Sequence, residues 1–569
     1  MTSDSPWDIA DRAAGALAPE SDLVESPDTA EFGRALGLAM RHLASNPTTL
    51  LAAATTLTAR LAPIPALALT RWLGRDVAAP VPLDPKDRRF SDAAWTDNPW
   101  FYSIRVAYNV FRQLTTDLVD GAGLDPLNNE KAHLAVSLMA DALAPTNFLA
   151  TNPAALKRAF DTGGKSLTDG ALAFLDDLLH NNGRPRQVDT SPFVLGENLA
   201  ATPAKVVYRN ELMEVLQYAP QTPQVHAAPL LCSPPWINKY YVMDLAPGRS
   251  FIEWAVRHNR TVFAISYRNP SAEMSAVTMD DYLINGPHQA LDVIQDITGA
   301  ETVDIVGLCL GGAMTAITAA YLSAAGDTRV GNLTLLNTLL DYSEPGALRV
   351  FTDARTVDRL EKQMAKEGHL KGASMAGTFD VLRANDLIFS YVVSNWLMGQ
   401  KPPAFDILAW NADSTRMPAA MHSFYLRNFY VENRLAKGEL ELAGEIIRLD
   451  EIKQQTYVVG AENDHIVPWS SAYAATRLLS GPVRFILSSG GHIAGIVNPP
   501  SPKGWFMSGD DLPATAAQWR EQATRHAGSW WVDWATWSSQ VAGPLVDPPL
   551  MGSERYPVLY DGPGQYIHT

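Results

Sequence analysis

The stretch that decides the fold is Val303-Asp304-Ile305-Val306-Gly307-Leu308-Cys309-Leu310-Gly311-Gly312-Ala313-Met314-Thr315-Ala316-Ile317-Thr318-Ala319-Ala320. β-Branched residues at 303, 305 and 306 read as a buried strand, and the alanine-rich run after Gly312 reads as a helix, so the chain must turn sharply between them. Glycines two residues either side of Cys309 permit that turn and a close approach of backbone. This is the context of a nucleophile elbow, with cysteine in place of serine. The turn would set Cys309 at a helix N-terminus, where the dipole favours thiolate. The competing reading is a buried structural cysteine in a glycine-containing turn.

An elbow predicts an acid and then a histidine, each just after a later strand. Tyr457-Val458-Val459-Gly460-Ala461-Glu462-Asn463-Asp464 is a strand followed by an acid-bearing turn, with Glu462 the rival of Asp464. Phe485-Ile486-Leu487-Ser488-Ser489-Gly490-Gly491-His492 is a strand followed by a glycine-flanked histidine. His465, beside the acid, reads as structural. An oxyanion hole takes one N–H from the residue after the nucleophile, here Leu310, and another from a loop after an early strand. In Ser233-Pro234-Pro235-Trp236-Ile237 the prolines cannot donate, which leaves Trp236 or Ile237.

Outward from the elbow, short apolar runs alternate with helical segments, the signature of a mostly parallel α/β sheet. The runs are 229–232, 261–267, 303–307, 333–336, 456–459 and 483–487. The alternation begins after Asn181-Asn182-Gly183 and lapses between about 341 and 450, a span expected to cap the sheet's C-terminal edge. Residues before about 190 read as helices broken by Pro, Gly and Asn. The expected organisation is therefore a mobile segment 1–30, an α-helical domain 31–190, and an α/β domain 191–569 with a cap insertion at about 341–450.

The 569 residues carry 45 basic and 61 acidic side chains, a net charge of −16, which repels polyanions and excludes a nucleic-acid partner. Two cysteines cannot build a disulfide framework or a four-thiolate metal centre, so no metal is expected. The acidic N-terminus lacks the features of a signal peptide, which predicts a cytoplasmic protein. Arg60, Pro63, Pro65 and Arg71 interrupt the apolar stretch from Leu50 to Leu73, which predicts no transmembrane span. Thr162-Gly163-Gly164-Lys165-Ser166 ends like a phosphate-binding loop, but Ala159 stands where its first glycine is required. The tryptophans at 530, 531, 534 and 537 read as helix packing.

With these residues in place, the chain resembles the polyhydroxyalkanoate synthases of the single-subunit class I/II type, over roughly residues 85–507. The marks are Asp87-Arg88-Arg89-Phe90-Ser91-Asp92, Thr162–Ser166, Pro234-Pro235-Trp236-Ile237-Asn238-Lys239-Tyr240, the Cys309 elbow, Pro402–Leu408 with Trp410-Asn411, Asp464–Trp469, and Gly491-His492 followed by Asn498-Pro499-Pro500. The resemblance implies an α/β-hydrolase fold with a cap, preceded by a helical domain. It implies Cys309 as the acylated nucleophile, His492 as its base, Asp464 as the acid, and Ile237 and Leu310 as oxyanion donors. The implied substrates are (3R)-3-hydroxyacyl-coenzyme A and the growing polyester chain. Coenzyme A would be a leaving group, with no retained cofactor, and the enzyme a homodimer on the polyester granule surface. Acyl length depends on packing between cap and sheet; Phe160–Leu167 is closer to the medium-chain branch. An anionic leaving group near an acidic protein calls for a basic entrance, for which Lys239 and Arg416 are the candidates. Two other readings share these residues: a cysteine-dependent α/β hydrolase of esters or thioesters, and a non-catalytic granule-associated protein.

Overall fold

The computed structural model describes residues 29–75 and 77–569. The segment 1–30 expected to be mobile lies, up to residue 28, outside the described residues. Two compact units form: one from the chain up to Asp189 together with Ala373–Pro403, the other from Thr190–Gly372 with Ala404–Thr569.

The first unit is helical: α1 (Thr29–Ala44), α2 (Pro47–Leu61), α3 (Ile64–Trp72), α4 (Pro99–Asp120), α5 (Pro126–Ala142), α6 (Pro153–Asp161) and α7 (Lys165–His180). Three of these start in the same way. Asn98, Asp125 and Asn152 accept N–H groups of the first turn, and a proline follows each, fixing φ where no intrahelical N–H is needed. Ile64, Ala68, Val81, Tyr102, Val106 and Val110 form one core cluster. The Asp87–Asp92 motif is structural: Arg89 pairs with Asp87 and Asp141, both at 2.9 Å, and donates to the Tyr108 hydroxyl at 3.0 Å. Lys165 is an exposed side chain paired with Asp169, not a phosphate clamp. Pro47–Trp72 is long and apolar enough by composition alone to cross a membrane, but Pro63 divides it and Arg60 and Arg71 charge it.

The span 341–450 is not one piece. Its residues 373–403 belong to the helical unit, where the Trp396 indole donates to Asp177 at 2.9 Å and its ring meets Phe174 at 5.0 Å. A Cβ at Gly170 would overlap the Trp396 carbonyl oxygen, so α7 packs there only because residue 170 is glycine.

The second unit is built on what is, among the described residues, an eleven-stranded sheet. Its strands are β1 (Ala204–Arg209), β2 (Met213–Tyr218), β3 (Leu230–Ser233), β4 (Val262–Tyr267), β5 (Val303–Leu308), β6 (Val330–Leu336), β7 (Thr456–Ala461), β8 (Val483–Ser488), β9 (Trp505–Ser508), β10 (Thr524–Ala527) and β11 (Tyr560–Asp561). The order is β10-β9-β8-β7-β6-β5-β3-β4-β2-β1-β11. The central six, β8 to β4, pair in parallel, and the strands flanking them on either side are antiparallel. β5 and β7 are buried at every residue, as expected of a parallel sheet covered on both faces. Parallel strands bring their C-terminal ends to one edge, so the turns after β5, β7 and β8, which carry Cys309, Asp464 and His492, share that edge.

Candidate active site

Cys309 sits between β5 and α8 (Leu310–Ala324) with φ 53° and ψ −113°, a left-handed conformation that a cysteine adopts only when its surroundings impose it. A Cβ at Gly311 would overlap the Ser233 carbonyl oxygen, and one at Gly307 would overlap that of Gly311. Both glycines therefore admit backbone where a side chain could not go, and the Cys309 N–H fixes the turn by donating to Leu336 at 2.7 Å.

Asp464 and His492 meet. His492 Nδ1 lies 2.6 Å from Asp464 Oδ2, with the carboxylate fully enclosed. The other carboxylate oxygen accepts the N–H groups of Ile466 at 2.8 Å and Val467 at 2.9 Å, so the acid is oriented before it meets the ring. The rival, Glu462, pairs with Arg520 instead. With Nδ1 committed to Asp464, the other ring nitrogen is left free of the carboxylate, and the Cys309 sulfur acts on the ring electrostatically. Burial pushes the imidazole down, but the Asp464 carboxylate and the Cys309 sulfur outweigh it and hold the ring well above its ordinary value.

That shift fixes a sign. An imidazole held above its ordinary value stabilises the fold in full below about pH 6.5 and loses that contribution as pH rises through the raised value. The melting temperature of the wild type relative to His492→Gln should therefore be highest in mild acid and shrink toward alkaline pH. A difference that does not change with pH would show that the ring is neutral throughout.

Leu310 is the first residue of α8, where helix geometry leaves N–H groups without intrahelical acceptors; the N–H groups of Gly312 and Ala313 already turn back to the Cys309 carbonyl. Ile237 lies half-buried in the turn after β3, three residues beyond Pro234, which touches the elbow at Gly311. Trp236 beside it is buried and packs edge-on against Tyr425 at 5.5 Å. Tyr425 adjoins Tyr342 and Tyr430, whose rings lie 4.9 Å apart and whose hydroxyls are electrostatically coupled to Cys309. The spacing of these tyrosines in the sequence carries no catalytic pattern.

The basic entrance expected from Lys239 is not found there. Lys239 is 4% exposed, and its ammonium donates to the carbonyls of Ile567 at 2.7 Å and Thr569 at 2.6 Å and lies 3.8 Å from Asp413. It is a buried tie between distant segments. Arg416 is half-buried; its backbone N–H donates to Asn269, and its Nε is buried without an acceptor. Lys239→Met is expected to cost about 1–3 kcal/mol of stability through the carbonyls it strands. It should leave the substrate's KM unchanged; a raised KM at unchanged melting temperature would return Lys239 to the substrate path.

A family model described as the N-terminus of poly-beta-hydroxybutyrate polymerase (PhaC) matches residues 86–255, and one for the alpha/beta hydrolase fold matches residues 229–499. Among curated proteins, the poly(3-hydroxyalkanoate) polymerase of Methylorubrum extorquens is 39% identical over 97% of this chain and 92% of its own length. The poly(3-hydroxyalkanoate) polymerase subunit PhaC of Rhizobium meliloti is 39% identical over 99% of this chain and 92% of its own. Poly(3-hydroxyalkanoate) polymerase 1 of Ectopseudomonas oleovorans is 40% identical over 87% and 88%. Among solved structures, an alpha/beta hydrolase fold protein from Chitinophaga pinensis is 14% identical, with a TM-score of 0.31, over 53% of this chain and 94% of its own.

Proposed function

The chain belongs to the poly(3-hydroxyalkanoate) polymerase family, and from that premise we propose that it polymerises (3R)-3-hydroxyacyl-coenzyme A through a covalent acyl-Cys309 intermediate. The observation that carries this reading is the bond of His492 to Asp464 at the strand edge that also bears the Cys309 elbow.

His492 takes the thiol proton, and the sulfur attacks the thioester carbonyl carbon. The negative charge passes to the carbonyl oxygen, which Leu310 and Ile237 N–H groups receive. The C–S bond to coenzyme A breaks, and the leaving thiolate takes the proton from the imidazolium. His492 then deprotonates the 3-hydroxyl of the next acyl unit or chain end. That oxygen attacks the acyl carbon, the Cys309–acyl bond breaks, the departing sulfur takes the proton back from the imidazolium, and an ester has formed. The buried aromatic group of Trp236, Tyr342 and Tyr425 keeps water from competing with the hydroxyl. On the same reading the enzyme is a cytoplasmic homodimer at the surface of the granule it makes, and coenzyme A departs as product.

The test is turnover of 3-hydroxybutyryl-coenzyme A and of a medium-chain homologue, scored separately for free coenzyme A and insoluble polymer. Release of both in step is expected. Coenzyme A with free hydroxy acid and no polymer would make this a hydrolase.

A further inference from the structure

Three side-chain N–H groups converge on the backbone of the loop that carries His492. Asn337 Nδ2 donates to the carbonyl of His492 itself at 2.5 Å. Two more come from a single helix, α9 (Trp530–Val541): the indole of Trp530 donates to Gly495 and that of Trp531 to Ile496, each at 2.8 Å. All three side chains are buried, with exposures of 1% or less.

Asn337 is placed to act on the whole edge. It follows β6, the strand between the one that carries Cys309 and the one that carries Asp464. Its own N–H donates to Val459 of β7 at 2.8 Å, and the preceding carbonyl, of Leu336, accepts the Cys309 N–H at 2.7 Å. Its backbone is left-handed, φ 44°, which asparagine tolerates better than most side chains. Its Oδ1 is buried without a partner, so the residue leaves one polar atom unsatisfied while making the bond to His492.

We infer that Asn337, Trp530 and Trp531 are positioning residues for His492, holding the carbonyls of residues 492, 495 and 496 so that the ring spans Asp464 and Cys309. The need for a clamp lies in the loop's own sequence. Gly490, with φ 109°, and Gly491 precede the histidine and give the segment little stiffness of its own. A buried indole N–H needs an acceptor wherever it packs; here both take carbonyls three and four residues past the histidine.

The inference rests on His492 being the base of Cys309, and the experiment separates the two. Asn337→Gly keeps the backbone conformation and removes the amide; Trp531→Phe keeps an aromatic ring and removes the N–H. For each, kcat and KM are measured by coenzyme A release, the alkylation rate of Cys309 by iodoacetamide is followed against pH by peptide mass spectrometry, and thermal unfolding is recorded. Expected are a fall in kcat of about 10- to 100-fold with KM within about twofold. The alkylation profile should move toward that of His492→Ala. Variants that melt earlier but keep the wild-type kcat and alkylation profile would overturn the inference and leave these residues a packing role. A profile sensitive to His492→Ala but not to either variant would overturn it alone; a profile indifferent to His492→Ala would overturn the base assignment and this inference with it.

Discussion

Cys309→Ala is expected to abolish polymer formation, on the order of 10⁴-fold or more in turnover, while leaving the melting temperature close to that of the wild type. The substitution removes the attacking sulfur from a half-buried position and adds no volume. The backbone keeps its strained φ of 53°, because the glycines and the bond to Leu336 that impose it are untouched. The control is Cys232, within β3 and fully buried, whose thiol burial pushes far above its ordinary value. It behaves as a small hydrophobe, so Cys232→Ala should retain activity with at most a modest loss of stability. Polymer at wild-type yield from Cys309→Ala would end the covalent mechanism, and inactivation of folded Cys232→Ala would move the chemistry to Cys232.

Asp464→Asn should lower overall turnover on the order of 10³–10⁴-fold, and unevenly between the two half-reactions. The carboxylate bonded to Nδ1 fixes the tautomer in which the far nitrogen can accept a proton; an amide at that position can present N–H instead and reverse it. The Ile466 and Val467 N–H groups keep the side chain in place, so the change acts on charge and tautomer more than on geometry. Acylation starts from a sulfur already close to the imidazole and at a helix N-terminus, whereas elongation must remove a proton from a far less acidic alcohol. Release of the first coenzyme A should therefore be near normal, followed by accumulation of acyl-Cys309 with little polymer. Rapid-quench assay of coenzyme A with mass spectrometry of the Cys309 peptide decides the point: equal slowing of both phases without accumulated acyl-enzyme leaves Asp464 only an orienting role.

Much of this site is written locally. The elbow, the acid turn and the glycine-flanked histidine each follow an apolar β-branched run, and those runs are strands β5, β7 and β8. The choice between Asp464 and Glu462 is not local; it depends on Arg520 lying where it can engage the glutamate. Lys239 misled for the same reason. A lysine after a strand, two residues past the oxyanion candidate Ile237, looks like part of an entrance until Ile567 and Thr569 fold back onto it. The β1–β2 hairpin does not read as strands because it carries Glu214 and Gln217 at buried positions. Glu214 is satisfied by Tyr560, Gln565 and Tyr566 from the far end of the chain, and Gln217 by Leu550 and Gly552. Residues 373–403 read as helical whichever unit they join; the contacts of Trp396 with Asp177 and Phe174 place them in the first.

The indole clamp on the histidine loop has a further consequence for synthesis of the chain. Cys309 leaves the ribosome about 220 residues before Trp531, which at about 5–20 residues per second is an interval of about 10–45 s. For about 180 of those residues His492 has not yet been made, and for the remainder its loop still lacks the indole donors Trp530 and Trp531. The edge that brings Cys309, Asp464 and His492 together is therefore completed late, after residues 530 and 531 have been added.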